Sequence, residues 1–411
     1  MRTKGATVSD EPFFGETRQA MKPRPARLKH VAGFNIDEVA AAAGEDPNIL
    51  RLENLDTDLL PPPAAIEATR AAVGLDSANS YLPFIGQLAA REAVAAQVAS
   101  RTGMAYDPQT EIILTCSDGD CLLDVLLGLS DPGDEIILTD PTYAGMLNRV
   151  HLAGGVPKLV PMTALDGTWR LDSDALEAAI TPRTQAIFLQ NPSFPSGYRL
   201  NDQEWQVITR LCVERDLWLI YWSLMEGILY DGLPILSPTS YPGMRERTVI
   251  VGSPSIEQRM IGWRIGWIIA PSAVLSDLAV VHIYNGVTPG GIAQAGLIAA
   301  LSGPDDGLAE CVAEWQRRRD ALNRSMEGFA MIPAAGGWSQ ILDTVEHGVD
   351  PLELSRVLLG HGVAATAMTG WGGDVANRHL RLVFSNEPVD RIELLGDRFR
   401  SAMREAGGRN P

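Results

Sequence analysis

Side-chain amines are the scarcest reactive groups in this chain. Its four lysines are Lys4, Lys22, Lys29 and Lys158, and none follows residue 158, although arginines are plentiful there. A reaction needing a nucleophilic lysine in that stretch therefore has none to use. Arg381 is a different case. It sits in the apolar run HLRLVFS (379–385), and a guanidinium carried on a buried strand wants a carboxylate. The four cysteines, Cys116, Cys121, Cys212 and Cys311, do not read as a disulfide framework, and the first two lack the paired spacing of a zinc site. They read as buried thiols. His151, His282 and His379 are scattered, so no metal ligand set is expected.

The elements that must position these groups alternate between helix and strand. Residues 86–102 are Ala-rich with apolar residues at helical spacing, and Gly103 is placed to stop that helix. EIIL (111–114), EIILTD (135–140), QAIFLQ (185–190), LWLIYW (217–222) and RTVIVGS (247–253) read as buried strands. Helical stretches such as DCLLDVLLGL, 172–180 and 202–215 separate several of them, and DPGD (131–134) is a turn signal. This alternation predicts a parallel sheet covered on both faces, with ligands at the carboxyl ends of its strands. From about residue 305 the pattern changes. A polar helix over 308–329, the turn AAGGW and the strand-like HLRLVFS predict a separate α+β unit.

At 411 residues and 45% hydrophobic, the chain can bury a large core with a smaller satellite. Its net charge of -17 argues against a nucleic-acid partner, whose recognition rests on clustered Lys and Arg. Residues 1–30 run the other way, with Arg2, Lys4, Arg18, Lys22, Arg24, Arg27 and Lys29 against Asp10, Glu11 and Glu16. That segment reads as a loosely docked extension, with a transit peptide or a binding arm as the alternatives. The sequence has no apolar run of membrane-spanning length and no signal-peptide stretch, so no membrane partner and a cytoplasmic location are expected.

The segments following the strands, taken in order, resemble the fold type I, class I/II aminotransferases, which use pyridoxal phosphate (PLP). The resemblance spans roughly residues 48–405. SYLPFIG (80–86) resembles the loop whose tyrosine, here Tyr81, reaches the neighbouring subunit's site. DPTYAG (140–145) resembles the segment whose aromatic residue, here Tyr143, stacks on the cofactor ring. NPSFPSG (191–197) is similar to the Asn-Pro-x-Asn-Pro-Thr-Gly signature, beginning at Asn191. GWRIGW (262–267) resembles the segment whose arginine, here Arg264, binds the cofactor phosphate. HLRLVFS resembles the strand whose arginine, here Arg381, clamps the substrate carboxylate. The fold implied is α/β, aminotransferase-like, with a large mostly parallel-sheet domain and a smaller α+β C-terminal domain. The expected division is an extension (1–30), a segment associated with the small domain (31–64), the large domain (65–300) and the small domain (301–411).

Departures from the family pattern cluster at cofactor-facing positions. The Schiff-base lysine should lie eight residues before Arg264, where Ile256 stands. Ile has no amine to bond the cofactor or to shuttle a proton. The aspartate that keeps the ring nitrogen protonated is Trp222, and the tyrosine three residues on is Met225. The second asparagine of the signature is Phe194, and Asn54 or Leu55 replaces the glycine of the early substrate loop. Ser117, Asp118, Gly119, Ser253, Ser255 and Arg264 would be what remains of the phosphate cup. Ser117 and helix N-terminal N–H groups suit an anion there, while Asp118 opposes one.

The sequence reading that follows is a PLP-independent enzyme with no cofactor expected, acting on an amino-acid-like carboxylate by cyclisation, isomerisation, condensation or proton transfer in small-molecule, biosynthetic metabolism. Tyr81, Tyr143 and Glu226 are its expected acid–base groups. Arg381, Phe194, Trp222, Asn54 and Asn191 are its expected substrate contacts. Two alternatives stand beside it: a non-catalytic ligand-binding protein, and an aminotransferase relative holding PLP or its aminated form (PMP) non-covalently. The resemblance further implies a homodimer, with Tyr81 and residues 283–291 lent across the interface.

Overall fold

The computed structural model describes residues 25–410 other than 32, 34, 304 and 305. Most of the basic extension expected over residues 1–30 lies outside the described residues.

Nearly continuous apolar runs become central strands because both faces of the sheet are covered. The strands, in chain order, are β1 (Leu50–Arg51), β2 (Ile112–Thr115), β3 (Glu135–Asp140), β4 (Val156–Leu165), β5 (Thr168–Leu171), β6 (Thr184–Gln190), β7 (Trp218–Trp222), β8 (Thr248–Gly252), β9 (Gly266–Ile269), β10 (Ser339–Asp343), β11 (Val363–Ala364), β12 (Thr366–Ala367) and β13 (His379–Val383). Eight form one sheet in the order β2-β9-β8-β7-β6-β3-β4-β5. Its centre, β8-β7-β6-β3-β4, is parallel, while β9 runs antiparallel to both β2 and β8 and β5 antiparallel to β4. The expected mostly parallel sheet is thus present. The β4–β5 hairpin and β9 are strands that the apolar runs did not announce.

Local signals set the helices. Gly103 ends the helix Leu88–Thr102 in the left-handed conformation at φ 72°, and Asn201 with Glu204 forms a capping box for Asp202–Glu214. The C-terminal unit holds the antiparallel sheet β10-β13-β12, and the early strand β1 joins it by pairing in parallel with β11. The chain reaches from one unit into the other at fixed points. The Asp140 carboxylate, at the end of β3, accepts the N–H groups of Val375 and Ala376 at 3.0 Å each. Arg319 grips Asp231 with two N–H groups at 2.6 and 2.9 Å. These ties join the end of β3 and the segment after β7 to the C-terminal unit, on the side where the parallel strands β6, β7 and β8 also end.

Candidate functional site

A cavity of about 270 Å³ opens where those strand ends meet the C-terminal unit. Asp118 and Gly119 reach it from the turn after β2, Tyr143 from that after β3, and Phe194 from that after β6. Trp222 and Leu224 come from the end of β7, Ser255 and Ile256 from the turn after β8, and Asn54, Leu55 and Arg381 from the opposite side. Two wider hollows, about 650 and 570 Å³, lie elsewhere on the surface. Neither gathers the strand ends.

Arg381 dominates the electrostatics. It is 0% exposed, and its Nη2 donates to the Glu53 carbonyl. Its Nε and Nη1 have no partner. The guanidinium carbon lies 4.6 Å from the Trp371 ring centroid and 5.1 Å from that of Phe194. Burial lowers its pKa to about 9, against the pull of Glu53 and Tyr143. Arg381 thus remains a cation at neutral pH and lines the cavity with its Nε and Nη1 unpartnered among the described residues.

An aromatic wall stands beside it. The Tyr143 ring lies 5.0 Å from Trp222 and 5.6 Å from Phe194, and Phe194 lies 5.5 Å from Trp371. A third ring stacked between two others would need roughly 7 Å of separation, so no ring enters between Tyr143 and Trp222. The Trp222 indole N–H is buried and unpartnered. Ile256, 3% exposed, fills the position where the family's lysine was sought, and among the described residues no lysine lines the cavity. Lys158 lies on β4 with its Nζ 3.8 Å from Glu135, at the amino end of β3 and away from the site.

The end of the cavity across from Arg381 is built on the helix Asp118–Leu129, whose cap is Ser117. The Ser117 hydroxyl accepts the Asp120 N–H at 3.1 Å and donates to the Asp120 carboxylate at 3.0 Å, so it is committed to the cap. The Ser253 hydroxyl accepts the Ser255 N–H at 3.3 Å and does not line the cavity. The Ser255 hydroxyl, 5% exposed, lines it with no partner. Arg264 holds the left-handed conformation at φ 50° and donates to the Ile261 carbonyl at 2.9 Å. Gly266 must lack a side chain, because a Cβ would come within 2.7 Å of the Asp118 nitrogen.

Besides Ser117 and Ser253, three further expected residues fall outside the cavity. Side chains alternate along β7, so Trp222 faces the site while Tyr221 points to the other face and packs on Trp205 at 6.0 Å. Glu226 follows Tyr221: its carboxylate accepts the Tyr221 hydroxyl at 2.9 Å, next to the pair Arg101–Glu257, and it lines no part of the cavity. The Asn191 side chain accepts the Leu200 N–H at 2.8 Å and shapes its own loop. Tyr81 is 85% exposed and does not line the cavity.

Two residues of the site carried no sequence signal that was used. Arg149 lines the cavity, donating from Nε to the Gly119 carbonyl at 2.8 Å and from Nη1 to the Gly145 carbonyl at 2.9 Å. Helical spacing from the Tyr143 turn could have found it. Trp371 lies in the glycine-rich stretch TGWGGD, where nothing but the fold brings it to Arg381.

The sequence description of Aminotransferase class I and II matches residues 48–398. The arginine–pyruvate transaminase of Pseudomonas aeruginosa is 31% identical over 359 residues, 85% of this chain and 89% of that protein. The N-succinyldiaminopimelate aminotransferase structure from Mycobacterium tuberculosis superposes with TM-score 0.87 at 28% identity, over 92% of this chain and 100% of that one. The Thermus thermophilus aspartate aminotransferase with maleate gives TM-score 0.85 at 27% identity, over 93% of this chain and 100% of that one.

These relatives overturn the PLP-independent reading. They are named as aminotransferases or transaminases across nearly the whole chain, and that chemistry depends on PLP. A cofactor is therefore expected, and the inference from a missing lysine to a cofactor-free enzyme does not stand. The residues present suit such a group in part. Ser255, Gly119 and Arg264 offer a phosphate three kinds of donor, Tyr143 offers a ring face, and Arg381 offers the carboxylate fork. Ile256 offers no covalent anchor.

Glu226 also makes a pH-dependent contribution to stability. Burial raises its pKa from 4.5 to about 7, with nearby Glu257 adding to the effect and Tyr221 and Arg101 opposing it. The folded state thus holds this proton more tightly than the unfolded one, so stability falls as pH rises from 4.5 to about 7. The expected loss is roughly 3 kcal/mol, and Glu226→Gln should remove it. Denaturant melts of both proteins between pH 4.5 and 8 measure the difference; parallel curves would contradict this account.

Proposed function

The chain belongs to the class I and II aminotransferase family, and from that premise we propose that it acts on the amino group, or matching keto group, of a small carboxylated molecule. The observation that carries this reading is Arg381, a buried cation with two unpartnered N–H groups beside the strand-end cavity. We further propose that PLP or PMP is held without a covalent link, by Ser255, Gly119 and Arg264 at its phosphate, so that the chain is not a conventional transaminase.

In this family the cofactor supplies an electron-withdrawing ring conjugated to the substrate's amino carbon. The residues of this chain do the rest. Arg381 fixes the carboxylate by its planar fork, and Trp371 and Phe194 hold the guanidinium plane. The Trp222 indole N–H, unpartnered here, is a donor only and would suit an acceptor, whereas a carboxylate there would hold a ring nitrogen protonated. Such a site draws electrons less strongly. Ile256 moves no proton, so proton exchange at the substrate falls to Tyr143, the titratable group of the wall that is neither an arginine nor at the helix end.

A second copy of the chain is the proposed partner. Tyr81 and Tyr284 are 85% and 87% exposed, and their segments pack together, with the Gln87 N–H donated to Gln294 at 2.8 Å. Two bare tyrosines on one such surface fit a homodimer that covers them. Sedimentation equilibrium should give twice the chain mass, and a monomer at micromolar concentration would count against the shared surface.

Titration with PLP and with PMP, followed by protein fluorescence, should show saturable binding that dialysis reverses. Borohydride treatment should fix no adduct in the cavity. Failure of both forms to bind would refute the cofactor reading. For the carboxylate, Arg381→Lys keeps the charge but loses the fork. Its affinity for a small dicarboxylate such as maleate should drop at least tenfold in calorimetric titration, and unchanged affinity would remove Arg381 from the proposed role.

A further inference from the structure

The cup at the start of the helix Asp118–Leu129 has a feature that an ordinary anion site lacks. Asp118, at the first helical position and 8% exposed, lines the cavity with Gly119, Arg149 and Arg264. Burial raises its pKa, against the pull of Arg264 and Arg149 and of the N–H groups of Asp118 itself and of Gly119. Those are the donors a phosphate would take at a helix N-terminus. Ser255, 5% exposed, lines the same cavity, and its hydroxyl has no partner among the described residues.

We infer that the Asp118 carboxylate is a built-in competitor for the phosphate end of the cavity, occupying from within the donors that a phosphorylated ligand needs. This rests on the reading of that end as the cofactor's phosphate site. The charges show the consequence. Two guanidinium groups against a phosphate dianion would balance, but Asp118 leaves one net positive charge to meet two negative ones. The opposition acts at close range in a partly dry site, where like charges are poorly screened. A phosphorylated ligand must displace or outbid the carboxylate, so it binds weakly and exchanges readily. With Ile256 providing no tether, both ends of the cofactor site favour release over retention.

The test uses inorganic phosphate, which reads the cup without the ring. Calorimetric titration of the full-length protein should show Asp118→Asn binding phosphate at least tenfold more tightly than the parent, since the amide keeps the shape and removes the charge. Adding Arg264→Gln to that variant should abolish the gain. Should Asp118→Asn fail to fold, Asp118→Gly serves in its place, because the first helical position tolerates glycine. Equal or weaker phosphate affinity in the folded variant, or no binding by either protein, overturns the inference. If the variant takes phosphate but neither protein takes PMP, the competitor role stands and the cofactor reading falls.

Discussion

A guanidinium held wholly out of water is the constraint on which the site depends. Removing a charge from water costs several kcal/mol even after relaxation. Arg381 recovers part of that through one backbone carbonyl, two aromatic faces and the nearby Glu53. Its backbone cannot yield. On β13 it is paired with Ile341 of β10 on one side and with Thr366 of β12 on the other. The strain therefore sits in the unpartnered N–H groups, each worth about 1–3 kcal/mol when left unmet. A carboxylate entering the cavity relieves this cost without any rearrangement of the sheet, which is how a preorganised site stores affinity.

The two ends of the cavity answer the same problem in opposite ways. At the Arg381 end the donors are left unmet and await a ligand. At the helix end they are met from within, by Asp118 on the N–H groups and by carbonyls on Arg149 and Arg264. A ligand with one carboxylate and one phosphate would thus meet an eager partner at one end and an occupied one at the other. Discrimination between ligands follows from that asymmetry, because what is already satisfied must first be undone.

Much of the fold was legible because its signals are local. Apolar runs such as QAIFLQ and the stop at Gly103 depend on neighbours along the chain, and strand ends in a parallel sheet converge by topology. β9 was hidden inside the motif GWRIGW, and the β4–β5 hairpin carries prolines and lysine that mask its alternation. Within the site, Arg381, Tyr143, Phe194, Trp222 and Asn54 line one cavity. Glu226 and Asn191 do not, because motif spacing places a residue along the chain but not on a face. Strand alternation put Tyr221 and Glu226 behind the sheet, and Asn191 spends its amide on a loop N–H. Trp371 could not be read at all, since only the packing of two distant segments brings it to Arg381.

The missing amine bears on how a cofactor is kept, which is a narrower matter than whether one enters. The core is made of buried strands and of tryptophans such as Trp205, Trp315 and Trp338, each 0% exposed. Those residues maintain the scaffold whatever the site does. Ile256, Trp222, Phe194 and Leu224 bury apolar surface where a polar site would have buried charge, and each such exchange favours folding by the transfer of apolar area from water. An aldehyde-binding lysine is held near neutrality by its surroundings at a cost in stability, as active-site groups commonly are. An isoleucine such as Ile256, 3% exposed, carries no such cost. What then selects a ligand is the pair of charges at the two ends, Arg381 unmet and Asp118 self-paired, so the chemistry of this chain must be sought in how those charges exchange partners.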